Sequence, residues 1–185
     1  MPTAIREAQQ ADLDAITEIT NHAITRTHAH FATEPTTRDR VERDWRAAAG
    51  RYPWLVAAGG AEVLGFAKAG PWKSRGAYRW TTEVGVYVHE SARGRGIGAA
   101  LYTRLFAMLE QAGFRTVLAG VALPNPASER LHESVGMRCV GVLPRVGFKL
   151  GVWRDVAYYA LTFGDSDSAP ETEPSLPRST PPPHQ

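Results

Sequence analysis

The sequence predicts a single α+β domain built around a mixed sheet. Helical periodicity dominates the early part of the chain, a hairpin signal follows in the middle, and two strand patterns close it. A doubly wound parallel sheet would alternate strands and helices more strictly. The 185 residues, of which 43% are hydrophobic, are enough for one domain with a substantial core.

Two helices and a hairpin are predicted in the first half of the chain. Asp12 is a candidate N-cap for a helix that runs to about Ile24, with apolar residues at helical spacing. Thr37 is expected to cap a second helix that ends at Gly50. The turn Gly59-Gly60 separates two apolar runs, which is typical of a β-hairpin. The predicted strands of this half are residues 4–6, 54–58 and 63–68.

The second half alternates strands with two further helices. Residues 78–89 are predicted to form one long strand, with three valines on one face and Glu83 on the other. Behind a glycine-rich turn, apolar residues at helical spacing predict an amphipathic helix that stops near Gly113. Asn125 is expected to cap the last helix, which has proline at its first position. Further strands are predicted at residues 116–121, 139–143 and 153–162.

Residues 165–185 are predicted to be a disordered, Pro-rich tail outside a folded domain of residues 1–164. The tail holds six of the chain's 13 prolines and too little apolar surface to offset its ordering entropy. It carries four acids and one base, which leaves a charge of about +5 on the domain. This bias toward anionic ligands is modest, and no nucleic-acid partner is expected.

Cys139 is the single cysteine, which excludes an intrachain disulfide and is consistent with a cytoplasmic protein. Its apolar strand suggests a core cysteine. No membrane partner is expected, because no apolar run serves as a signal peptide or approaches the ~18 residues of a membrane span. No metal site is expected either, because His28 and His30 lack a third ligand nearby.

The glycine-rich turn before the amphipathic helix is the strongest functional signal. It reads Arg93-Gly94-Arg95-Gly96-Ile97-Gly98. Backbone N–H groups at a helix N-terminus, the helix dipole and two arginines together favour phosphate binding. With Ala99, the turn also satisfies the loose dinucleotide-binding pattern. That alternative needs an acid about 20 residues later, which residues 116–121 do not offer. No Gly-Lys-Ser/Thr follows, so the turn is not a P-loop.

Arg93-x-x-Gly96-x-Gly98 resembles the pyrophosphate-binding signature of the GNAT superfamily of acetyl-CoA-dependent N-acetyltransferases. The whole of residues 1–164 is similar to one family within it, the phosphinothricin N-acetyltransferases. The stretches that carry this resemblance include Thr33-Glu34-Pro35, Arg51-Tyr52-Pro53-Trp54, Gly70-Pro71-Trp72-Lys73, Leu123-Pro124-Asn125, His132-Glu133 and Gly147-Phe148-Lys149. The resemblance implies a GNAT-type fold, in which a mostly antiparallel central sheet carries helices on both faces and one parallel strand pair splays apart.

The resemblance also implies acetyl-CoA as co-substrate, with its pantetheine arm between the splayed strands. Glu83 matches the family's catalytic glutamate, and its apolar strand is a setting that raises a carboxyl pKa. His132 stands where many superfamily members carry a tyrosine that protonates the departing thiolate. Which of the two is base and which is acid is left open. The implied cofactor-binding residues are Val86, Tyr87, Val88, Arg93, Gly94, Arg95, Gly96, Ile97, Gly98, Ala99, Asn125 and Ser128.

For the acetyl acceptor, the resemblance implies a small amino acid of the phosphinothricin type, held by Phe31, Arg75 and Tyr78. The planar guanidinium of an arginine suits a carboxylate. It further implies a homodimer, with residues 153–163 as an interface strand. Two alternatives remain: acetylation of a protein or peptide, and a non-catalytic acyl-CoA-binding sensor. Retention of both Glu83 and His132 argues against the sensor.

Overall fold

The computed structural model describes residues 3–164 and 172–177. Within these ranges the chain forms a seven-stranded sheet in the order β1-β2-β3-β4-β5-β7-β6. The strands are β1 Ala4–Glu7, β2 Trp54–Gly59, β3 Glu62–Pro71, β4 Thr81–Val88, β5 Thr116–Ala122, β6 Arg138–Lys149 and β7 Val152–Thr162. The helices are α1 Leu13–Arg26, α2 Arg38–Ala48, α3 Ile97–Gln111 and α4 Pro126–Ser134. The predicted α+β fold is confirmed.

Helices cover both faces of the sheet. On one face, Leu13 of α1 and Val41 of α2 share a buried cluster with Trp54 and Phe66 of the sheet. On the other face, α3 packs through the predicted apolar stripe, which includes the fully buried Leu101. In the described part of the chain, every helix is too short or too polar to cross a membrane.

The parallel strands β4 and β5 separate in the middle of the sheet. They pair only where Thr81–Glu83 lie beside Thr116–Leu118. Beyond this point β4 continues along β3 and β5 continues along β7, so neither strand has ended. The predicted splayed pair is therefore confirmed. We call the gap between β4 and β5 beyond Glu83 and Leu118 the wedge. The strand edges that face it carry backbone N–H and C=O groups that need hydrogen-bond partners.

Two local predictions differ from the structure. β4 begins at Thr81 rather than at Tyr78, because Gly76–Tyr78 forms a 3₁₀ turn. Asp12 does not cap α1 through its side chain. Its carboxylate instead accepts hydrogen bonds from Arg6 at 2.6 and 2.8 Å and from the backbone N–H of Gln9 at 2.7 Å. The bonds from Arg6 hold the pKa of Asp12 below its ordinary value and tie β1 to the start of α1.

β6 is an exposed edge strand, and the prediction of a core cysteine is wrong. Cys139 is exposed. Along the same strand Val140, Val142 and Phe148 are 62%, 48% and 57% exposed. An apolar strand belongs to the core only if another layer covers it, and these side chains of β6 stay exposed to solvent. A row of apolar side chains is left at the surface.

Residues 172–177 lie against the folded domain, unlike the predicted tail without packing. Pro174 is buried, and Leu176 is half-buried against the main core. Backbone N–H groups of this segment donate to the carbonyl oxygens of Ala112 and Gly50, both at 3.0 Å. The segment therefore covers the C-terminal ends of α2 and α3. The rest of the predicted tail lies outside the described residues.

Candidate active site

A cavity of about 700 Å³ lies on the side of the sheet that carries α2 and includes residues of both splayed strands. Its walls come from the α1–α2 loop, α2, β3, β4, β5, β6 and β7, together with Tyr52 and Trp54. The polar and aromatic lining residues are His30, Phe31, Asp44, Tyr52, Trp54, Lys68, Glu83, Tyr87 and Tyr158. This volume lies in the range of about 300–1,000 Å³ that is typical of small-molecule pockets.

Strand alternation along β4 places Glu83 and Tyr87 in the cavity. Val84, between them in sequence, is buried in the core beneath α3, and Val86 and Val88 pack against the same core. Burial raises the pKa of Glu83, and nearby lysine charges oppose the rise only in part. A carboxylate of raised pKa is a better proton acceptor near neutral pH. Burial, with a smaller contribution from Glu83, also raises the pKa of Tyr87 to about 12, so that its hydroxyl stays protonated.

His132 lies on α4 and is 3% exposed. Its Nδ1 donates to the carbonyl oxygen of Ser128 at 2.7 Å, since a carbonyl can only accept. Nε2 is therefore the acceptor for the Tyr102 hydroxyl, 3.2 Å away. Burial lowers the pKa of His132, which keeps the imidazole neutral at physiological pH. His132 does not line the cavity that holds Glu83.

Tyr102 of α3 contacts His132, and sequence reasoning missed it. Its hydroxyl contacts His132, and its side chain is 1% exposed. Burial raises the pKa of the Tyr102 phenol, and the negative charge of Glu83 raises it further. The available signal was a tyrosine within the apolar stripe of α3, because a buried phenol needs a hydrogen-bond partner.

The three glycines of the turn before α3 are required for two different reasons. Gly94 and Gly96 have φ angles of +76° and +75°, which side-chain-bearing residues rarely adopt. At Gly98, a Cβ atom would lie 3.0 Å from the side chain of Leu131, so this glycine allows α3 to approach α4 closely. The turn is thus fixed in a shape that brings the start of α3 to the end of β4.

The start of α3 has the geometry of an anion-binding site. α3 begins at Ile97, and the first backbone N–H groups of a helix, through Ala99, have no partners within the helix. Arg93 and Arg95 are exposed beside them. Arg95 donates to the carbonyl oxygen of Ser91 at 2.7 Å, which holds its guanidinium near the turn. This arrangement fits a phosphate group.

The predicted substrate residue Phe31 lies in the cavity, on a loop that is fastened to β6. The Lys149 ammonium donates to the carbonyl oxygens of His30 and of Ala32, the latter at 2.9 Å. Lys149 is only 5% exposed, and its pKa is lowered by burial. The Phe31 ring lies against the backbone of β6 at Gly147. Sequence reasoning assigned no role to Lys149.

The other two predicted substrate residues do not line the cavity. Arg75 precedes the 3₁₀ turn after β3 and Tyr78 is its last residue, and both are exposed. The Tyr78 ring packs edge-on against Trp72 with ring centroids 5.0 Å apart. Asn125 caps α4, as predicted, by accepting from the backbone N–H of Ser128 at 3.2 Å. The substrate role of Arg75 and Tyr78 and the cofactor role of Asn125 and Ser128 stay predictions.

Comparison with known proteins identifies the family. The family model described as Acetyltransferase (GNAT) family matches residues 14–137. The chain belongs to this family. It is 43% identical over 162 residues to the phosphinothricin N-acetyltransferase of Streptomyces viridochromogenes, with 88% of each chain covered. It is 38% identical over 169 residues to the L-methionine sulfoximine/L-methionine sulfone acetyltransferase of Salmonella typhimurium, with 90% of this chain and 98% of that protein covered.

Solved GNAT structures share the fold. A GNAT superfamily phosphinothricin acetyltransferase from Sinorhizobium meliloti, determined in complex with acetyl-CoA, superposes with a TM-score of 0.86. The two chains are 32% identical, and the match covers 94% of each. An N-acetyltransferase from Staphylococcus aureus matches with a TM-score of 0.82 and 37% identity, over 88% of this chain and 99% of that one. The resemblance to phosphinothricin N-acetyltransferases seen in the sequence is confirmed.

Proposed function

We propose that this GNAT protein transfers an acetyl group from acetyl-CoA to the α-amine of a small amino acid of the phosphinothricin or methionine sulfoximine type. One observation carries the proposal. Glu83, a carboxylate of raised pKa, lies in a cavity at the point where β4 and β5 begin to separate. The names of the relatives support the substrate class.

The residues of the wedge fit acetyl-CoA. The N–H groups at the start of α3, with Arg93 and Arg95, would hold the pyrophosphate. The edge of β4 from Val86 to Val88 is unpaired on the side of β5, which leaves backbone groups for the pantetheine amides. Asn125 and Ser128, at the start of α4, would contact the same arm. When bound, acetyl-CoA supplies the thioester carbonyl that the amine attacks.

Acetyl transfer forms a C–N bond, breaks a C–S bond and moves a proton from the amine toward the departing sulfur. Glu83 accepts the proton of the attacking amine in this proposal, because it is the carboxylate with a raised pKa in the cavity. On the sulfur side, the Tyr102 hydroxyl gives its proton to the departing thiolate, and the buried His132 imidazole, whose Nε2 contacts that hydroxyl, holds the phenol in place. Solvent returns a proton to Tyr102 and takes up the proton that Glu83 accepted from the amine. No acyl-enzyme is required.

The exposed apolar side of β6 and β7 supports the homodimer. In addition to the exposed Val140, Val142 and Phe148 of β6, three neighbouring apolar residues are exposed. They are Val146, Leu150 and Trp153, at 53%, 59% and 58%. An edge strand with contiguous apolar side chains tends to associate. We place the subunit contact on β6 and on β7 from Trp153 onward, which extends the predicted interface strand to its neighbour. Sedimentation equilibrium at micromolar concentration tests it: the mass of a monomer, 20.2 kDa, would refute the contact.

The direct test of the activity is thiol release from acetyl-CoA with a panel of amines. Phosphinothricin, methionine sulfoximine or methionine sulfone should be acetylated, and simple polyamines should not. Glu83→Gln should lower kcat by about 10² to 10⁴-fold, the usual share of general acid–base catalysis, with acetyl-CoA affinity nearly intact. Tight acetyl-CoA binding without thiol release would favour the sensor, and release only with peptides would favour the peptide acetyltransferase.

A further inference from the structure

Lys68 lines the cavity and has no role in the acetyl transfer proposed above. Among the described lining residues it is the only lysine or arginine. Its Nζ atom lies 4.7 Å from the centroid of the Trp54 ring. No hydrogen bond or ion pair joins it to another described side chain. Its ammonium thus faces the cavity with hydrogen-bond donors available to a ligand.

The anionic side chains near Lys68 do not neutralise it. Asp44 of α2 and Glu83 both stabilise the lysine charge through space, which opposes the lowering of the Lys68 pKa by burial. Asp44 is exposed and already pairs with Arg40 at 3.8 Å. Glu83 is the proposed proton acceptor, so an incoming amine engages it. The Lys68 ammonium would then be left without an anionic partner, and an anionic group of the substrate could supply one.

The sheet register fixes where such an anion must lie relative to the amine. Lys68 of β3 is the cross-strand partner of Gly85, and Glu83 is two residues before Gly85 on the same face. Diagonal neighbours of this kind have Cα atoms about 7–8 Å apart in an antiparallel pair. An α-carboxylate carbon is only two bonds from the amine nitrogen. The α-carboxylate is therefore too close to the amine to reach Lys68 while the amine lies at Glu83. A group at the end of the substrate's side chain, separated from the α-carbon by two methylenes, can reach it.

We propose that Lys68 binds an anionic group at the end of the substrate's side chain. This inference rests on the proposed function and makes it narrower. The enzyme then prefers amino acids with a side-chain phosphinate or similar anion over neutral compounds of the same shape. Lys68 supplies a charge-assisted hydrogen bond to that group, and the face of Trp54 holds the ammonium in place.

Two substrates of nearly identical shape isolate the effect. Phosphinothricin carries a methylphosphinate where methionine sulfone carries a methyl sulfone, so the pair differs chiefly by one negative charge. The wild-type enzyme should have the higher kcat/KM for phosphinothricin. Lys68→Met should lower that value by about 10- to 100-fold, or about 1.4 to 2.7 kcal/mol, and change the value for methionine sulfone less than about 3-fold. Acetyl-CoA affinity and melting temperature should be unchanged.

Lys73→Met is the matched control, because Lys73 also lowers the pKa of Glu83 but does not line the cavity. It should leave the ratio of the two kcat/KM values within about 3-fold. The role of Lys68 would be overturned if Lys68→Met lowered kcat/KM equally for both substrates or lowered neither value. It would also be overturned if Lys73→Met changed the ratio of the two values as much as Lys68→Met does. Wild-type enzyme that acetylates methionine sulfone as well as phosphinothricin would also overturn it. A wild-type enzyme that acetylates neither compound would refute the proposed function itself.

Discussion

Adding one methyl group at Gly147 should disturb the cavity through Phe31. A Cβ atom at this position would lie 2.6 Å from Cζ and 2.8 Å from Cδ2 of the Phe31 ring, and closer still to Cε2. Ordinary van der Waals contact begins at 3.4 Å. The ring must therefore move by about 1 Å or more to restore normal contact. Because Lys149 holds the carbonyls on both sides of Phe31, the ring rather than the loop is expected to move.

The displaced ring lines the cavity, so the effect should appear in substrate binding and positioning. A misplacement of about 1 Å can cost about 100-fold in rate, and we expect Gly147→Ala to lower kcat/KM for the amino acid by about 10- to 100-fold. Acetyl-CoA affinity should change little, because the turn before α3 is a separate part of the site. Steady-state kinetics with calorimetry of acetyl-CoA binding measures both quantities.

Gly141→Ala is the matched control on the same strand, since a Cβ atom there meets nothing within 4 Å. It should leave kcat/KM within about 2-fold. In a Phe31→Ala background the Gly147→Ala change should have little further effect, because its cost depends on the ring. Wild-type kinetics for Gly147→Ala, or the same loss with and without the Phe31 ring, would refute the reasoning.

Three further predictions follow from other parts of the molecule. Arg93→Ala/Arg95→Ala should weaken acetyl-CoA binding by about 100-fold or more, because charge-assisted hydrogen bonds contribute ~1.5–3 kcal/mol each; unchanged affinity in calorimetry would place the phosphates elsewhere. The pKa of Glu83 is raised, so kcat/KM should fall as the pH drops through a value above the ordinary 4.5, and Glu83→Gln should remove this limb; its persistence would assign it to another group. Leu176→Ala should lower the melting temperature by about 2–4 °C for a loss of ~1 kcal/mol, and a differential scanning measurement without any shift would mean that residues 172–177 do not stabilise the domain.

Sequence patterns correctly predicted the features that depend on residues close together in the chain, such as helix caps, turns and the buried face of a helix. The stripe of α3, the glycine turn before it and the Asn125 cap all follow from spacing within a few residues. Thr37 likewise caps α2 by accepting from the backbone N–H of Arg40. Glu83 could be placed on the face opposite the valines of β4 because side chains alternate along a strand.

The misses share a different physical origin, since each depends on what lies beside the segment in space. Cys139 sits in an apolar strand, but only the tertiary structure shows that β6 is an uncovered edge. Leu176 lies in a Pro-rich stretch, and its packing surface is formed by the distant ends of α2 and α3. Lys68 and Lys149 look like surface lysines in sequence. The former is placed by a neighbouring strand and an aromatic ring, and the latter by two carbonyls more than 100 residues away.

The register of β4 links the stability of the fold to the placement of the proposed proton acceptor. Pairing with β5 extends through Glu83 and stops there, so this carboxylate lies where the wedge opens. Shifting the strand by one residue would turn every side chain to the opposite face. Glu83 would then occupy the environment of Val84, which is 5% exposed beneath α3, and an unpaired buried carboxylate there would cost several kcal/mol. The same register that keeps the core apolar therefore holds the carboxylate in the cavity, where an amine entering from one face can meet a thioester held in the wedge.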